Sequence, residues 1–379
     1  MVIIGGGVMG TSTAYQLARA GVQDVMLLEA NELASGSSGK PLGGVRAQFS
    51  DPINIELGAR SLRAFRRFRD DFGVDIGHQQ VGYLFLIRDE TDVPRYEDSI
   101  ALQNSLGVDS RIISGAEAVR CTPYVDADSV VAAAWAPSSG FARPRAVVNA
   151  YADAAAALGV EVHTNSSVAG IDQAGEGRVA VRTHDGRVFT TPAVICTCGA
   201  WSRQIGAMVD VELPIVPLRR QIVFSAPLTP PPPRIPFTID HTTTTYFHGN
   251  DDGSGLLLGI ADQNETIGFD TTVTTGWHGL LRDALTTFAP SLADVAFADG
   301  WAGLYEVTPD CNAVIGEART DGFRFLYAAG FSGHGFLQAP AVGEVVRDLY
   351  LRRPPVVDVS AFAVERFARA FERTELNIV

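Results

Sequence analysis

The first residues of the chain combine a strand pattern with three glycines at G-x-G-x-x-G spacing and a helix pattern. The apolar run Val2-Ile3-Ile4 leads into Gly5, Gly7 and Gly10. In such a turn the first glycine permits the tight bend, the second lets backbone approach a pyrophosphate, and the third lets helix and strand pack closely. The free N–H groups and positive dipole of the helix N-terminus suit phosphates. This spacing therefore predicts dinucleotide binding.

A carboxylate follows at the end of the second predicted strand. The apolar run Val25-Met26-Leu27-Leu28 ends at Glu29. A carboxylate about 20 residues after the glycines suits a ribose hydroxyl of the bound dinucleotide. The order of strand, glycines, helix and acid favours a real binding motif over a chance glycine turn. Which dinucleotide binds stays open at this point.

Composition and charge exclude several classes of function. The 379 residues are 46% hydrophobic and 19% charged, which is typical of a folded globular protein. The net charge of −13 argues against a nucleic-acid partner, which needs a basic surface. No apolar run approaches the roughly 18 residues of a membrane span, and the apolar start lacks the charged region of a signal peptide. We expect a cytoplasmic protein with no membrane partner.

Two residue types are scarce enough to restrict the chemistry. The chain has 4 cysteines, too few for a disulfide framework at this length. Cys196 and Cys198 have no nearby Cys or His pair, so we expect free thiols and no metal site. Lys40 is the only lysine. Any step that needs a lysine has this single candidate.

The remaining patterns predict the elements that position these residues. Apolar spacing predicts an amphipathic helix over 54–71, whose arginines are read as a solvated face rather than a nucleic-acid stripe. The proline-rich run 227–236 is read as a stiff connecting loop rather than a recognition ligand. The other predictions are strands at 81–87, 160–163, 168–171, 178–183, 188–190, 193–196, 244–247, 255–260 and 325–329, helices at 146–158, 277–288 and 339–351, and a polar loop with a short helix over 112–119.

Six motifs in order give the chain a strong resemblance to the D-amino-acid oxidase/sarcosine oxidase superfamily of FAD proteins. It is most similar to the branch with sarcosine oxidase β, proline dehydrogenase β and glycine oxidase. The motifs are Gly5–Gly10 with Glu29, 36–39 followed by Gly43-Gly44-Val45-Arg46, 198–202, Pro217-Leu218-Arg219-Arg220-Gln221, Gly303–Asp310 and Gly330–Gly335.

The resemblance implies an α/β fold of two interleaved domains. A Rossmann-like FAD-binding domain would comprise residues 1–76, 146–214 and 301–379. A substrate-binding domain built on a large antiparallel sheet would comprise residues 77–145 and 215–300. The flavin ring would lie where the two domains meet.

The resemblance also implies the cofactor contacts. Ser37 and Ser38 can donate hydroxyl hydrogen bonds, and backbone near Val168 would contact adenine. The loop Gly330–Gly335 opens a helix whose dipole can stabilise negative charge at flavin N1 and C2=O. The full set of expected FAD contacts is Gly5, Gly7, Val8, Met9, Gly10, Glu29, Ala30, Ser37, Ser38, Lys40, Gly43, Gly44, Val168, Cys198, Gly199, Trp201, Gly303, Gly330, Ser332, Gly333, His334, Gly335 and Phe336.

Four residues are expected to act on the substrate or the reduced flavin. Arg46 stands where the sarcosine oxidases place their carboxylate-binding arginine, a role that suits a forked, permanent cation. Tyr246 and Tyr305 stand at substrate-pocket positions, and His334 lies beside the flavin as a polariser rather than a base. The alternatives are a structural arginine and two packing aromatics. Two weaker pocket candidates are Gln48 and His248.

Three departures from the family pattern limit the inference. Gly303 stands where the monomeric sarcosine oxidases attach FAD to a cysteine, and Cys311 lies too late to replace it, so we expect non-covalent FAD. Leu257 takes the place of their oxygen-activating lysine, which leaves oxidase or dehydrogenase open. Leu337 takes the place of a second carboxylate-binding lysine, which leaves Arg46 or an unplaced arginine to hold the substrate.

The resemblance implies a FAD-dependent enzyme that oxidises a C–N bond of an amine or amino acid. A hydride would pass to flavin N5, the imine would hydrolyse, and O2 or another acceptor would take the electrons. A secondary or cyclic amino acid such as sarcosine or proline is favoured. The alternatives are oxidation of a 2-hydroxy acid, or a β-type subunit active only in a heteromeric complex. A nicotinamide dehydrogenase would leave the loops 36–44 and 330–335 without a role.

Overall fold

The structure is a computed structural model that describes residues 1–320, 322–368 and 373–377. Its helices are α1 (Val8–Arg19), α2 (Pro52–Phe72), α3 (Val93–Ser105), α4 (Gly115–Cys121), α5 (Pro144–Ala157), α6 (Ser202–Ala207), α7 (Thr275–Thr286), α8 (Pro290–Ala293) and α9 (Gly335–Tyr350). Its strands are β1 (Val2–Ile4), β2 (Met26–Leu28), β3 (Gly44–Val45), β4 (Tyr83–Ile87), β5 (Arg111–Ser114), β6 (Ala132–Ala136), β7 (Gly140–Phe141), β8 (Glu161–His163), β9 (Val168–Gln173), β10 (Val179–Thr183), β11 (Val188–Thr191), β12 (Ala193–Cys196), β13 (Val216–Ser225), β14 (Phe237–Asp240), β15 (Thr245–Gly249), β16 (Leu256–Ile260), β17 (Phe297–Val307), β18 (Val314–Ala318) and β19 (Arg324–Ala329).

The first large sheet carries the glycine motif. Its six strands lie in the order β18-β19-β12-β1-β2-β8, parallel except for the edge strand β18. Side chains alternate between two cores: Ile3 faces the helices α1, α5 and α9, whereas Val2 and Ile4 face the small antiparallel sheet of β9, β10 and β11. A parallel sheet covered on both faces needs such continuously apolar strands. This arrangement confirms the expected Rossmann-like unit.

The second large sheet has eight strands in the order β17-β13-β16-β15-β14-β4-β6-β5. Neighbouring strands are antiparallel except β14 and β4. One face, with Leu84 and Phe247, buries the helix α7. Because successive side chains of a strand point to opposite faces, the neighbours Tyr83 and Tyr246 lie on the other face. That face is turned toward the candidate site.

The strand β17 crosses the domain boundary expected at residue 301. The strand β17 pairs with β13 through Val307, opposite Val216. Residues 301–307 therefore belong to the eight-stranded sheet, although the resemblance implied that the FAD-binding domain resumes at 301.

Most of the predicted elements are confirmed with boundaries shifted by a few residues. The segment 112–119 is different: its first part is the strand β5, which pairs with β6. The long strands β13 and β17 escaped prediction because arginines and glycines interrupt their apolar alternation. Within the described ranges, no helix combines the length and apolar character needed to cross a membrane.

Candidate functional site

A cavity of about 800 Å³ lies between the two large sheets. The cavity brings together Arg46, Tyr246, Tyr305 and His334 with nearly all of the expected cofactor contacts. The lining contacts are Gly5, Gly7, Val8, Met9, Glu29, Ala30, Ser37, Ser38, Lys40, Gly43, Gly44, Val168, Cys198, Gly199, Trp201, Gly303, Ser332, Gly333, Gly335 and Phe336. Gly10 and Gly330 do not line it and instead pack against neighbouring backbone and side chains.

The glycine turn is built as the motif requires. Gly5 has φ +110°, and a Cβ at Gly10 would lie 1.9 Å from the Gly5 carbonyl oxygen. Only glycine permits this approach of helix and strand. The N–H of Val8, at the start of α1, donates to Ser38 Oγ at 2.9 Å. The segment 36–39, which carries Ser38, therefore lies over the N-terminus of α1.

The carboxylate of Glu29 is held in place at the end of β2. Its Oε2 accepts from the Gly6 N–H at 2.7 Å, and its Oε1 accepts from the Asn31 N–H at 2.9 Å. Both contacts come from backbone, so the side chain is oriented without a cationic partner at those atoms. Glu29 lines the cavity together with Ala30 and Val168. These residues form the end of the cavity nearest the first sheet.

One buried hydroxyl in this region lacks a partner. Ser37 Oγ is buried and has no hydrogen-bond partner among the described residues, although it belongs to a cavity-lining side chain. Buried polar atoms are normally paired. A ligand group in the cavity would supply the missing partner of Ser37.

The loop that follows β19 forms another wall. Gly333 has φ +100°, and a Cβ there would lie 2.4 Å from the ring of Tyr305. The Glu306 carboxylate accepts from the Gly330 N–H at 2.9 Å, and its backbone oxygen accepts from the Ser332 N–H at 3.1 Å. Burial raises the pKa of Glu306 to about 7. Glu306, which we did not predict as a site residue, therefore braces the loop that leads into α9.

His334 lies at this loop with both ring nitrogens engaged. Nε2 is 3.0 Å from the Cys311 carbonyl oxygen, and Nδ1 is 3.3 Å from Gln338 Oε1. The side chain is 1% exposed, and burial lowers its pKa. Each ring nitrogen therefore faces an acceptor oxygen of the protein. The polarising role expected for His334 stays a prediction.

Arg46 is a buried cation that binds backbone oxygens. The guanidinium donates to the carbonyl oxygens of Gln48 and Asn377, the latter at 2.5 Å. Its Cζ lies 4.2 Å from the ring centre of Phe49 and 5.2 Å from that of Phe85. Burial lowers the pKa of Arg46. The side chain also hydrogen-bonds to the Tyr83 phenol and lines the cavity.

A second arginine, Arg220, lines the cavity. Arg220 lies on β13 opposite Gly303, and its Cζ is 5.1 Å from the ring centre of Tyr305. Its buried Nε has no partner in the described part of the chain, and Nη1 donates to the Arg219 carbonyl oxygen at 3.1 Å. Arg220 belongs to the family motif at 217–221, but only the register of β13 against β17 reveals that it belongs to the site.

Three tyrosines complete this end of the cavity: Tyr83, Tyr246 and Tyr305. Burial raises the pKa of each phenol, so all three are neutral hydrogen-bonding groups. Tyr83, which we did not predict, stacks on Phe237 with ring centres 4.4 Å apart. The result is an aromatic chamber with two guanidinium groups in its wall.

The weaker candidates lie outside the lining of the cavity. The His248 ring stacks on Phe237 at 4.8 Å, and its Nδ1 donates to the Gly249 carbonyl oxygen at 2.7 Å. Burial lowers the pKa of His248 to about 4. Gln48 donates from Nε2 to the Ala134 carbonyl oxygen at 3.3 Å. Neither residue reaches the cavity, whereas Leu337 does.

No metal centre is apparent in the part of the chain that the structure describes. There, no group of three or more His, Cys, Asp or Glu side chains is placed to hold a metal ion. The cysteines Cys121, Cys196, Cys198 and Cys311 are free thiols. Cys198 donates from Sγ to the Ile4 carbonyl oxygen at 3.0 Å. The thiol thereby helps to hold β1 beside the glycine turn.

Comparisons with known proteins agree with this geometry. The family profile described as "DAO: FAD dependent oxidoreductase" matches residues 1–349. The chain is 28% identical to 4-methylaminobutanoate oxidase (formaldehyde-forming) of Paenarthrobacter nicotinovorans, with 97% of this chain and 45% of that protein covered. It is 26% identical to sarcosine oxidase subunit beta of Rhizobium meliloti (strain 1021), with 98% of this chain and 89% of that protein covered.

A solved structure is similar to this protein in both fold and sequence. The L-proline dehydrogenase from P. horikoshii has a TM-score of 0.89 and 31% identity, and 97% of each chain is covered. The chain spans less than half the length of the first relative named above. These similarities confirm the family resemblance that the motifs indicated. They also confirm the mixed α/β fold of two parts.

The residues of the cavity fit FAD. The backbone of the glycine turn, the oriented Glu29 carboxylate and the Ser37 hydroxyl, which has no partner among the described residues, all line the cavity. The N-terminus of α9, which favours negative charge, follows the lining residues Ser332 and Gly333. Gly303 offers no nucleophile for a covalent link at the position where the resemblance puts one. The cavity can therefore hold FAD between the two sheets, with the aromatic chamber at its far end.

Proposed function

The chain belongs to the DAO family of FAD-dependent oxidoreductases, and on that premise we propose that it oxidises the C–N bond of a small carboxylated amine. One observation carries the proposal: Arg46 and Arg220 both line the cavity, and in the described part of the chain their guanidinium groups bond to backbone oxygens and, for Arg46, to the neutral phenol of Tyr83. Their positive charges are not balanced by direct ion pairs there. A carboxylated ligand would balance them.

The energetics of burial support an anionic substrate. Removing one partner of a buried ion pair costs about 3–5 kcal/mol because the other charge is left uncompensated. Arg46 is 4% exposed, so its charge is largely hidden from water. A carboxylate can accept two parallel N–H bonds from one guanidinium, which fixes orientation as well as affinity. Arg46 and Arg220 together would hold such a group beside Tyr305.

The rest of the chamber suits the amine end of the substrate. The phenol groups of Tyr83, Tyr246 and Tyr305 are neutral and can hydrogen-bond to a nitrogen, while Phe237 and Leu304 give apolar surface. An N-methyl group or a small ring fits such walls. We therefore favour a secondary or cyclic amino acid, such as sarcosine or proline. The similarity to an L-proline dehydrogenase at 31% identity points the same way.

The protein contributes binding, orientation and electrostatics to the reaction. The residues of the cavity would hold FAD, which would supply an acceptor for a hydride from the carbon next to the substrate nitrogen; the imine would then hydrolyse. Arg46 and Arg220 hold the carboxylate and thereby orient that carbon. His334 keeps its ring nitrogens on Cys311 and Gln338, so it holds protons rather than removing one from the substrate. The positive charges of Arg46 and Arg220 also stabilise negative charge that develops in the cavity.

The electron acceptor and the active assembly each have more than one candidate. The electron acceptor is either O2 or another molecule. Leu257, which lies outside the cavity lining, replaces the oxygen-activating lysine of the related oxidases, so both acceptors stay candidates. The active unit is the chain itself, an oligomer or a heteromeric complex, since one relative is named as a subunit beta. The native mass of the purified protein, measured alone and with its co-purified proteins, decides between these assemblies.

A paired substrate screen tests the function. The purified holoprotein is mixed with L-proline, sarcosine and glycine, with pyrrolidine as an amine without a carboxylate, and with 2-hydroxyglutarate as a hydroxy acid. Turnover is followed with O2 and, separately, with an artificial electron-accepting dye. Turnover of a carboxylated amine well above both comparison compounds supports the proposal. Preferred turnover of 2-hydroxyglutarate would replace it with oxidation of a 2-hydroxy acid.

A further inference from the structure

We propose that Glu375 is a positioning residue that controls the protons of His334 through the side-chain amides of Asn54 and Gln338. The inference rests on the proposed function, because it assigns a task to His334 in the same cavity. In this arrangement His334 holds one proton at Nε2 and accepts a second at Nδ1 when negative charge forms beside it. Glu375, which does not touch His334, favours binding of this second proton to the ring.

Glu375 is a buried carboxylate surrounded by hydrogen-bond donors. It is 2% exposed. Oε1 accepts from Ser50 N at 2.9 Å, Ser50 Oγ at 2.8 Å and Asn377 N at 2.9 Å, and Oε2 accepts from Asp51 N at 3.1 Å and Asn54 Nδ2 at 2.9 Å. All of these groups donate, so both carboxylate oxygens act as acceptors. Asn54 Nδ2 also donates to Asn312 Oδ1 at 2.7 Å, so two acceptors hold the Asn54 amide in this orientation.

The Asn54 amide, held by Glu375 and by Asn312 Oδ1, sets the orientation of the amides that lead to His334. Since Asn54 must present Nδ2 to the carboxylate, its Oδ1 accepts from Gln338 Nε2 at 3.1 Å. Gln338 then presents Oε1 to His334 Nδ1 at 3.3 Å. On the other side of the ring, Nε2 donates to the Cys311 carbonyl oxygen at 3.0 Å. His334 is thus placed between two acceptors.

Two acceptors match a histidine with two protons. A neutral imidazole has one N–H, so one of its nitrogens faces an oxygen without a hydrogen between them, whereas imidazolium donates from both. Burial and the Arg46 charge oppose the second proton, and the Glu375 charge favours it. The other ionisable groups around the ring are the Cys311 thiol, Tyr305 across Gly333, and Asp310, which is paired with Arg366 at 2.8 Å.

The proton balance of flavin reduction defines the effect. A hydride brings two electrons and one proton, which leaves one added negative charge in the cavity. A proton from solvent, taken up at His334 Nδ1, balances that charge. Reduction then consumes two protons for two electrons. If neither His334 nor N1 of the reduced flavin takes the second proton, reduction consumes one, so the count is made in the alkaline range where reduced flavin stays anionic.

The flavin midpoint potential, measured across pH with dithionite and a reference dye, tests this without any substrate. Failure of the substrate proposal would not change this measurement. For a two-electron couple, two protons give a slope of about 59 mV per pH unit and one proton about 30 mV. We expect two protons in the wild type. Glu375→Gln, which removes the negative charge that favours the second proton, should reduce the count toward one and disfavour reduction about tenfold, or ~30 mV.

A second variant and a control keep the test sharp. Gln338→Leu cuts the chain next to His334, so it should match Glu375→Gln, and the double variant should add little because both act through the same contacts. Gln338→Leu also serves if Glu375→Gln fails to fold. The control Glu344→Gln removes a carboxylate of α9 that pairs with Arg60 of α2. It should leave the potential and proton count unchanged.

Three results would overturn the proposal. The first is a Glu375→Gln protein that folds, binds FAD and keeps the wild-type slope. The second is a double variant whose effects are the sum of the single ones. The third is a Glu306→Gln protein that alone loses the second proton, because Glu306, whose pKa burial raises to about 7, would then be the group that takes it up.

Discussion

Replacing Arg220 with glutamine tests the substrate end of the cavity most severely. Arg220 has no partner for its buried Nε and no ion pair in the described ranges, so its charge is free for a ligand. Glutamine keeps a hydrogen-bond donor and much of the length but removes the charge. The ring of Tyr305, 5.1 Å from the guanidinium, stays in place on Gly333. The fold should therefore tolerate Arg220→Gln.

The expected magnitude follows from the contact that would be lost. A hydrogen bond to a charged group contributes about 1.5–3 kcal/mol. Its loss corresponds to a decrease in kcat/KM of about 10- to 150-fold for a substrate that carries the carboxylate. A substrate without a carboxylate never forms the contact. Its kcat/KM should change by less than about threefold, within the scatter of a neutral substitution.

The assay compares two substrates on two variants. Initial rates are measured for L-proline and pyrrolidine, or for sarcosine and dimethylamine, with the better electron acceptor. Arg182→Gln is the matched control, because Arg182 pairs with Asp172 at 2.6 Å and is 53% exposed. Our reasoning is refuted if Arg220→Gln lowers kcat/KM equally for both members of a pair, or if it has no effect on either.

Three further predictions concern the cofactor and the fold. Ser37→Ala removes a hydroxyl that lacks a protein partner, so the apoprotein should unfold at the same urea concentration while the Kd for FAD rises about three- to tenfold; an unchanged Kd would mean that FAD does not use this hydroxyl. Acid precipitation should leave all of the flavin in the supernatant, because Gly303 offers no atom for a covalent bond; yellow protein in the pellet would contradict this. The pKa of Glu306 rises from 4.5 to about 7 on burial, so the folded apoprotein holds a proton that the unfolded chain releases, and stability falls as the pH rises between those values. Glu306→Gln should remove that decrease, which amounts to about 3 kcal/mol above pH 7 in urea unfolding; a pH dependence equal to that of the wild type would refute the assignment.

The cofactor end of the cavity could be predicted from the sequence because its contacts are local. Gly5, Gly7 and Gly10 act within one strand–turn–helix unit, and the spacing to Glu29 follows from a single helix and strand. The loop Gly330–Gly335 likewise lies between one strand and one helix. Each motif forms its geometry from residues next to one another in the chain. The parallel sheet that joins these motifs follows from their apolar strands.

The substrate end depends on pairings between distant parts of the chain. Arg220 reaches the cavity because β13 pairs with β17, about 80 residues later, in a register that places it opposite Gly303. Neither strand shows a regular apolar alternation, so the sequence does not reveal that register. Glu375 lies 321 residues from Asn54, its partner in the buried network. Contacts of this kind need the folded structure.

Anaerobic reduction of the bound flavin by substrate is the most direct test of whether this protein oxidises a C–N bond. The FAD-loaded protein is mixed, without O2, with one equivalent of L-proline or sarcosine, and the visible absorbance of oxidised flavin is followed. We predict that the absorbance is lost and that the imine-derived product appears in an amount equal to the reduced flavin. Oxidised flavin that persists with every carboxylated amine, or that is reduced by 2-hydroxyglutarate instead, would contradict the account.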